Sequence, residues 1–295
     1  MATAVPKPVK RLIAISLATV LLVTLAACES SSSGEGQMNA FSVGSSPVVT
    51  VTVGNGDVDL VVGPAGEIKV KAELEDAKNV EYEASQTGDT ITVEAKTKSG
   101  GKADVTLTLP ETTRFEITTG SGDLDVGGIQ APGQVSSGSG SITFERYKGD
   151  VIGNTGSGNI NLTDVTGFSM LNDGSGNITL KDATGSFGLN TGSGNISIRG
   201  ANGAFLLNTG SGDISFQGEL AAGSDNKLSV GSGSVTVELA GSPSVTLDLE
   251  TDDGNVTVDL PATAREESKE RFVGTIGTGD AALNIRVGNG NITIK

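Results

Sequence analysis

Six Gly-Ser-Gly triplets recur in this chain at a constant spacing of 18 residues. They begin at Gly120, Gly138, Gly156, Gly174, Gly192 and Gly210. A fixed period of this length is typical of proteins that stack one short structural unit along an axis. The chain is therefore restricted to a repeat architecture before any other feature is considered.

Apolar and polar residues alternate after every triplet, which indicates a half-buried β-strand. The apolar positions lie four and six residues after the first glycine. They hold Leu124, Ile142, Ile160, Ile178, Ile196 and Ile214, and then Val126, Phe144, Leu162, Leu180, Ile198 and Phe216. The residues between them are Asp125, Thr143, Asn161, Thr179, Ser197 and Ser215. We therefore expect the apolar columns to face a core and the polar column to face solvent.

A second short strand is expected in each unit, because matching apolar residues recur further along it. These residues include Phe187, Leu189, Phe205 and Leu207. A glycine usually precedes this strand (Gly149, Gly167, Gly185, Gly203), and Asn154, Asn172, Asn190 and Asn208 are expected to mark a corner at its end. Equivalent strands of successive units must pair in parallel. The pattern predicts an all-β, single-stranded parallel β-solenoid, or β-helix, with 18-residue coils, and crossover geometry favours a right-handed coil.

The regions beside the regular repeats also alternate, but less evenly. Residues 40–118 are expected to form irregular opening coils and a cap, the alternative being a separate small β-domain. Residues 119–295 are expected to form the regular solenoid, although the spacing lengthens to 21 residues after Gly210.

Two features near the end of the chain give further expectations. A charged stretch without glycine, near 262–272, is expected to form a protruding loop or one helical turn. The final copy of the motif ends at Lys295 and is expected to leave an open sheet edge.

Residues 1–28 have the character of a bacterial export signal. Lys7, Lys10 and Arg11 precede an apolar run that ends in Leu25-Ala26-Ala27-Cys28. This ending resembles a lipobox, which would make Cys28 the lipidated first residue of the mature protein and its link to the membrane. The alternative is an ordinary signal peptide followed by an incidental cysteine. Residues 29–39 are expected to form a flexible Ser/Gly tether.

Composition excludes several classes of function. The formal net charge is −15, which argues against nucleic-acid binding, since that depends on basic patches. The chain has no histidine, and its only cysteine is Cys28. Histidine-dependent catalytic triads, histidine metal sites and an intrachain disulfide are therefore excluded.

The carboxylates suggest two further hypotheses, and neither is favoured. A polysaccharide-cleaving site needs two carboxylates at a defined separation, whereas the outward candidates are scattered singly: Asp123, Asp125, Asp164, Asp182 and Asp213. The slot equivalent to a calcium-binding β-roll holds Asp123, Ser141, Asn159, Asn177, Asn195 and Asp213, of which four are uncharged. Calcium would therefore lack ligands there, and Asp252 with Asp253 is the best local alternative. No metal and no cofactor are expected.

The order of these features resembles a known family. A lipobox, irregular strands, the segment Leu107-Thr108-Leu109-Pro110 and serial Gly-Ser-Gly-[Asp/Asn]-Ile motifs are similar to the bacterial DUF4097 family. The members of this family are β-strand-repeat proteins often labelled putative adhesins, and the DUF2807 group is related. The resemblance covers roughly residues 40–295 and implies a β-repeat fold. It supplies no catalytic residues that carry over to this chain.

The sequence thus predicts a non-enzymatic, lipid-anchored protein of the bacterial cell envelope. Its solenoid would serve adhesion, scaffolding or sensing, with an envelope protein or a glycan as partner and no nucleic acid. The alternatives are a polysaccharide-acting β-helix enzyme and a stress-sensing module that binds cationic peptides.

Overall fold

The computed structural model describes residues 35–295, and these residues form a β-solenoid of 25 strands. The expected all-β fold with 18-residue parallel coils is confirmed. Lipidation of Cys28, the signal 1–28 and most of the tether 29–39 lie outside the described residues. In the described part of the chain, no helix is long and apolar enough to cross a membrane.

The strands alternate in the regular coils between two sheets that enclose the core. In chain order they are β1 (Glu35–Ser42), β2 (Val48–Asn55), β3 (Val58–Val62), β4 (Glu67–Glu75), β5 (Val80–Thr87), β6 (Thr90–Thr97), β7 (Lys102–Leu109), β8 (Arg114–Ser121), β9 (Leu124–Gly127), β10 (Gly133–Ser139), β11 (Ile142–Lys148), β12 (Val151–Thr155), β13 (Ile160–Asp173), β14 (Ile178–Lys181), β15 (Thr184–Ser193), β16 (Ile196–Ser211), β17 (Ile214–Leu220), β18 (Asp225–Ser232), β19 (Val235–Leu239), β20 (Val245–Asp253), β21 (Val256–Val258), β22 (Thr263–Glu267), β23 (Arg271–Ile276), β24 (Ala281–Asn289) and β25 (Ile292–Ile294). A single 3-10 turn, Ala77–Asn79, precedes β5.

The first sheet has the order β5, β6, β2, β8, β10, β12, β13, β15, β16, β18, β24, β20, β23 and β22. The second has the order β1, β4, β7, β3, β9, β11, β13, β14, β16, β17, β19, β25 and β21. The long strands β13 and β16 contribute one half to each sheet. Antiparallel strands occur only at the two ends of this described solenoid.

The apolar columns predicted from the repeat form the core. All twelve residues at the two apolar positions are at most 2% exposed, from Leu124 to Ile214 and from Val126 to Phe216. The second strand supplies the opposing layer, in which Phe187 stacks on Phe205 with ring centroids 5.6 Å apart. Each buried aliphatic side chain contributes roughly 1.5–3 kcal/mol. Since one coil must order 18 residues, its neighbours are needed for stability.

The third glycine of each triplet makes the corner between the two sheets. Gly122 and Gly212 have φ values of 148° and 141°, which side chains rarely tolerate. A Cβ at either position would also overlap the carbonyl oxygen of the equivalent glycine in the preceding coil. The Asn-Thr pairs expected at a corner instead lie within strands, because β15 and β16 continue to the serine of the triplet.

The spatial order of coils differs from the chain order at both ends. The strands β24 and β25 insert between the coil of β18 and β19 and the coil of β20 and β21. Likewise, β2 and β3 lie between the coils of β6 with β7 and of β8 with β9. The prediction that the last strand leaves an open edge is therefore wrong, since β25 pairs on both sides.

The charged stretch 262–272 contains a strand where a loop or one helical turn was expected. β22 pairs with β23 as an antiparallel hairpin, and β23 covers the outer edge of β20. The edge of β20 has unpaired backbone groups that require a partner. The alternation of half-buried and buried residues in β23, where Phe272 and Ile276 are buried, suits that role.

A buried hydroxyl column runs behind the corner and is interrupted at one coil. Thr155, Thr191 and Thr209 donate from Oγ1 to the carbonyl oxygens of Gly140, Gly176 and Gly194 over 2.8–3.0 Å. Asp173 occupies the same column and is 5% exposed. Its Oδ1 accepts from the Ser175 N–H, while Oδ2 is buried with no hydrogen-bond partner. Burial raises the pKa of this carboxyl group above its ordinary value.

We predict that Ile178→Asp disrupts its coil, because Ile178 is fully buried. The cost should exceed the roughly 2–5 kcal/mol typical of truncating a buried isoleucine. Thermal melting monitored by circular dichroism measures the effect. The matched control is Thr179→Asp on the outward side of the same strand, expected within about 0.5 kcal/mol of wild type. Equal melting curves for Ile178→Asp and wild type would contradict the core assignment.

We predict that Asp173→Thr stabilises the protein at neutral pH by about 1 kcal/mol, because a hydroxyl restores the column bond. The pKa of Asp173 is higher in the folded than in the unfolded state. Wild type therefore loses stability as the pH rises from the unfolded-state pKa of Asp173 through its folded-state pKa. The advantage of the variant should therefore shrink on acidification towards pH 3.8. Denaturant unfolding at several pH values checks this, with Thr155→Val as a destabilised reference. A constant difference at every pH would contradict it.

Candidate functional site

The outer face of the first sheet carries the most distinctive set of exposed side chains among residues 35–295. Four asparagines stack in consecutive coils, and Nδ2 of each of the last three donates to Oδ1 of the asparagine before it. We call Asn154, Asn172, Asn190 and Asn208 the asparagine ladder. Its three bonds measure 2.9, 2.9 and 2.7 Å.

An exposed apolar column runs beside the asparagine ladder. Ile152, Met170 and Leu206 point outward from the same strands, two residues earlier, with exposed fractions of 45%, 40% and 44%. Gly188 occupies the fourth place in this column, and Phe168 lies next to Met170 with 41% exposed. Contiguous exposed apolar residues on a sheet face are characteristic of contact surfaces.

A groove of about 510 Å³ opens where the asparagine ladder ends. Across its four strands the wall residues are Asn208, Ser229, Arg286 and Glu250, and Asp252 lies at the far end. The floor consists of Gly210, Gly231 and Gly288. The volume lies within the range of about 300–1,000 Å³ typical of ligand sites.

Ion pairs hold the arginine side of the groove in place. Arg286 contacts Oδ2 of Asp248 at 3.0 Å and Oε2 of Glu250 at 3.3 Å. Arg271 contacts the same Glu250 oxygen at 2.7 Å and Glu266 at 3.2 Å. The hydrogen bond to Glu266, with the nearby charges of Asp248 and Glu250, raises the pKa of Arg271. Because these groups form a network, the wall is more fixed than an isolated surface pair would be.

The residues of the calcium-like slot serve a structural purpose. Each donates its backbone N–H to the side-chain oxygen of its counterpart in the preceding coil, and we call this set the corner ladder. In spatial order it comprises Asp104, Asp57, Asp123, Ser141, Asn159, Asn177, Asn195, Asp213, Ser234, Asn291 and Asn255, joined by bonds of 2.7–3.4 Å. Asp, Asn and Ser are interchangeable here because each supplies an acceptor oxygen.

The other carboxylates singled out by the sequence are dispersed. Asp164 and Asp182 occupy left-handed turn positions, with φ values of 56° and 52°. Asp125 lies opposite Asp59, whose pKa is raised by burial and then by the charges of Asp125, Asp57 and Asp104. Asp252 lines the groove. Among residues 35–295, no group of three or more His, Cys, Asp or Glu is arranged to hold a metal ion.

Sequence reasoning missed the groove as a unit. Glu250 meets Arg286 because β24 inserts beside β20, and it meets Arg271 because β23 pairs with the other edge of β20. One signal was present in the sequence: the asparagine column changes to serine at Ser229, where the spacing lengthens.

We predict that Asn190→Asp destabilises the solenoid by about 1–3 kcal/mol at neutral pH, because a carboxylate cannot donate to Oδ1 of Asn172. The loss should diminish on acidification, when the carboxyl group can donate again. Urea unfolding at neutral and acidic pH measures it. The control is Asn161→Asp, an outward position of the second sheet outside the asparagine ladder. An equal loss in both variants would show that added charge, rather than the broken ladder, is responsible.

Comparison with known proteins supplies a family match. The family model described as Toastrack DUF4097 matches residues 45–295. No curated protein matches the chain.

Three solved structures are similar at low identity. A putative cell adhesion protein from Clostridium sporogenes is 13% identical with a TM-score of 0.25, covering 88% of this chain and 99% of that one. A putative adhesin from Bacteroides fragilis is 12% identical with a TM-score of 0.40, covering 88% and 97%. A putative adhesin from Parabacteroides merdae is 8% identical with a TM-score of 0.27, covering 89% and 97%.

Proposed function

The chain belongs to the Toastrack DUF4097 family, and from this premise we propose that it is a non-enzymatic, lipid-anchored protein of the bacterial cell envelope. Its solenoid presents a binding face for adhesion, scaffolding or sensing. The observation that carries this proposal is the outer face of the first sheet, where the apolar column, the asparagine ladder and the groove lie side by side.

The construction of this face supports a binding role. The asparagine ladder fixes its outward amides coil by coil, and the strands beneath them are paired on both sides. A fixed surface loses little conformational entropy when it binds a partner. Repetition along the axis also presents similar contacts many times, which suits a long or repetitive partner.

The N-terminal sequence supports an envelope location. The segment ending at Cys28 resembles a lipobox, and its removal would take the formal charge from −15 to −18, since Lys7, Lys10 and Arg11 are lost. A strongly negative domain is repelled by anionic lipid headgroups. Attachment through acyl chains on Cys28 is therefore the form of membrane contact that suits this chain.

The polysaccharide-acting enzyme remains the second candidate, because Glu250 and Asp252 share a groove. They are two residues apart on one strand, so both side chains lie on the same face of the sheet. However, Oε2 of Glu250 is engaged by both Arg271 and Arg286. A catalytic acid must protonate the leaving oxygen, and a carboxylate held in ion pairs suits this task poorly. Release of reducing ends from a glycan panel, abolished by Asp252→Asn, would favour the enzyme.

We predict that Cys28→Ala releases the protein from membranes, because the acyl anchor is lost. Membrane fractionation and metabolic labelling with an alkyne fatty acid measure this. Wild type and the control Ser30→Ala should label and sediment with membranes, whereas Cys28→Ala should do neither. Continued sedimentation of unlabelled Cys28→Ala would contradict lipid anchoring.

A further inference from the structure

We propose that the groove at the end of the asparagine ladder binds a hydroxyl-rich glycan chain that carries no net negative charge. This inference deepens the proposed function and rests on it, because the proposed envelope location is where the protein would encounter glycans. The hydrogen-bonding groups of the groove, its charge and its place on a sheet face carry the inference.

The asparagine ladder leaves an open acceptor at the groove. Its bonds all run in one direction, so Asn208 donates to Asn190 while its own Oδ1 accepts no hydrogen bond from the described residues. The next strand has Ser229 in this column, which is too short to continue the series. The half-buried amide oxygen therefore borders the groove as an acceptor that a donor from a bound molecule can reach.

The other walls are also rich in acceptors. Among the described residues, Ser229 and Asp252 have no side-chain hydrogen-bond or ion-pair partner, and Glu250 uses only Oε2 in its ion pairs. Arg286, by contrast, is engaged by Asp248 and Glu250. A ligand that presents several O–H donors satisfies such a site, and a sugar chain does so at regular intervals.

Charge restricts the class of glycan. Four carboxylates lie in and around the groove, on Asp248, Glu250, Asp252 and Glu266, against three cations, the paired guanidinium groups of Arg271 and Arg286 and the exposed ammonium group of Lys227. The local charge is therefore negative, and the arginines are already paired. Sulfated or uronic-acid polymers would be repelled, whereas neutral or N-acetylated sugars would not.

The place of the groove disfavours a peptide. Extended peptides bind by adding a strand to an open sheet edge. The groove instead lies on the face formed by β16, β18, β24 and β20, whose backbone groups pair with each other. A peptide backbone would find no row of free N–H and C=O groups there. Side chains alone supply the contacts, which suits hydroxyl groups.

The glycine floor keeps the groove open. A Cβ on Gly210, Gly231 or Gly288 would come within 2.5–2.6 Å of the carbonyl oxygen of the equivalent glycine in the neighbouring coil. Substitution of the floor would therefore disturb the fold as well as the groove. Ser229 offers a better test, because asparagine already occupies its column in four other coils.

We predict that Ser229→Asn abolishes glycan binding and leaves the fold intact. The new amide would donate to Oδ1 of Asn208, which continues the asparagine ladder and fills the groove. The probes are the β-linked tetramers of N-acetylglucosamine and of glucose, added at millimolar concentration to full-length protein in a sugar-free detergent. Saturation-transfer difference NMR should give a signal for at least one tetramer with wild type, reduced at least about fivefold by Ser229→Asn.

The matched control is Ser136→Asn, which makes the same change at the opposite end of the asparagine ladder, away from the groove. It should bind like wild type. No signal from either tetramer, an equal loss in both serine variants, or binding only of a lysine-rich peptide would overturn the proposal. The measurement uses purified protein, so its outcome is independent of whether Cys28 is lipidated.

Discussion

Neighbouring coils approach each other most closely at the Gly-Ser-Gly corner, and this contact determines how the coils stack. The third glycine of each triplet leaves no room for a Cβ against the carbonyl oxygen of the coil before it. This contact fixes the coils in register, so equivalent residues lie above one another along the axis. The isoleucine columns, the corner ladder and the asparagine ladder all follow from that alignment.

The register of the coils also determines which polar side chains fit the corner ladder and the buried hydroxyl column. At the corner ladder, a side-chain oxygen must reach the backbone N–H of the next coil, and Asp, Asn and Ser all meet that need. In the buried column behind it, a donor is required, and Asp173 is the exception with an unpartnered oxygen. An ionised carboxylate therefore suits the corner ladder, where its oxygen accepts a hydrogen bond. It is unfavourable in the buried column, because that position requires a donor and a neutral hydroxyl supplies one.

The sequence was sufficient for the regular coils because the 18-residue period places each inward residue without further information. It was insufficient for the ends. Residues 48–62 and 281–294 carry the same corner motif as the other coils, so the pattern allows either to stack beside any of them. Their actual positions depend on how all the strands of the molecule pair at the sheet edges, and the repeat pattern does not specify this. Glu250 and Arg286, which are far apart in the repeat pattern, could not be assigned to one groove for this reason.

The groove lies where regularity fails, and this location has a physical basis. Inside the regular coils, each outward asparagine is satisfied by its neighbours, so the surface is complete without a ligand. At Ser229 the series stops, and the inserted strand β24 supplies an arginine where another asparagine would have closed it. Open acceptors and a depression therefore arise together. The uniform coils act as a rigid support, and the break in their uniformity is where a ligand can gain hydrogen bonds that the protein does not make for itself.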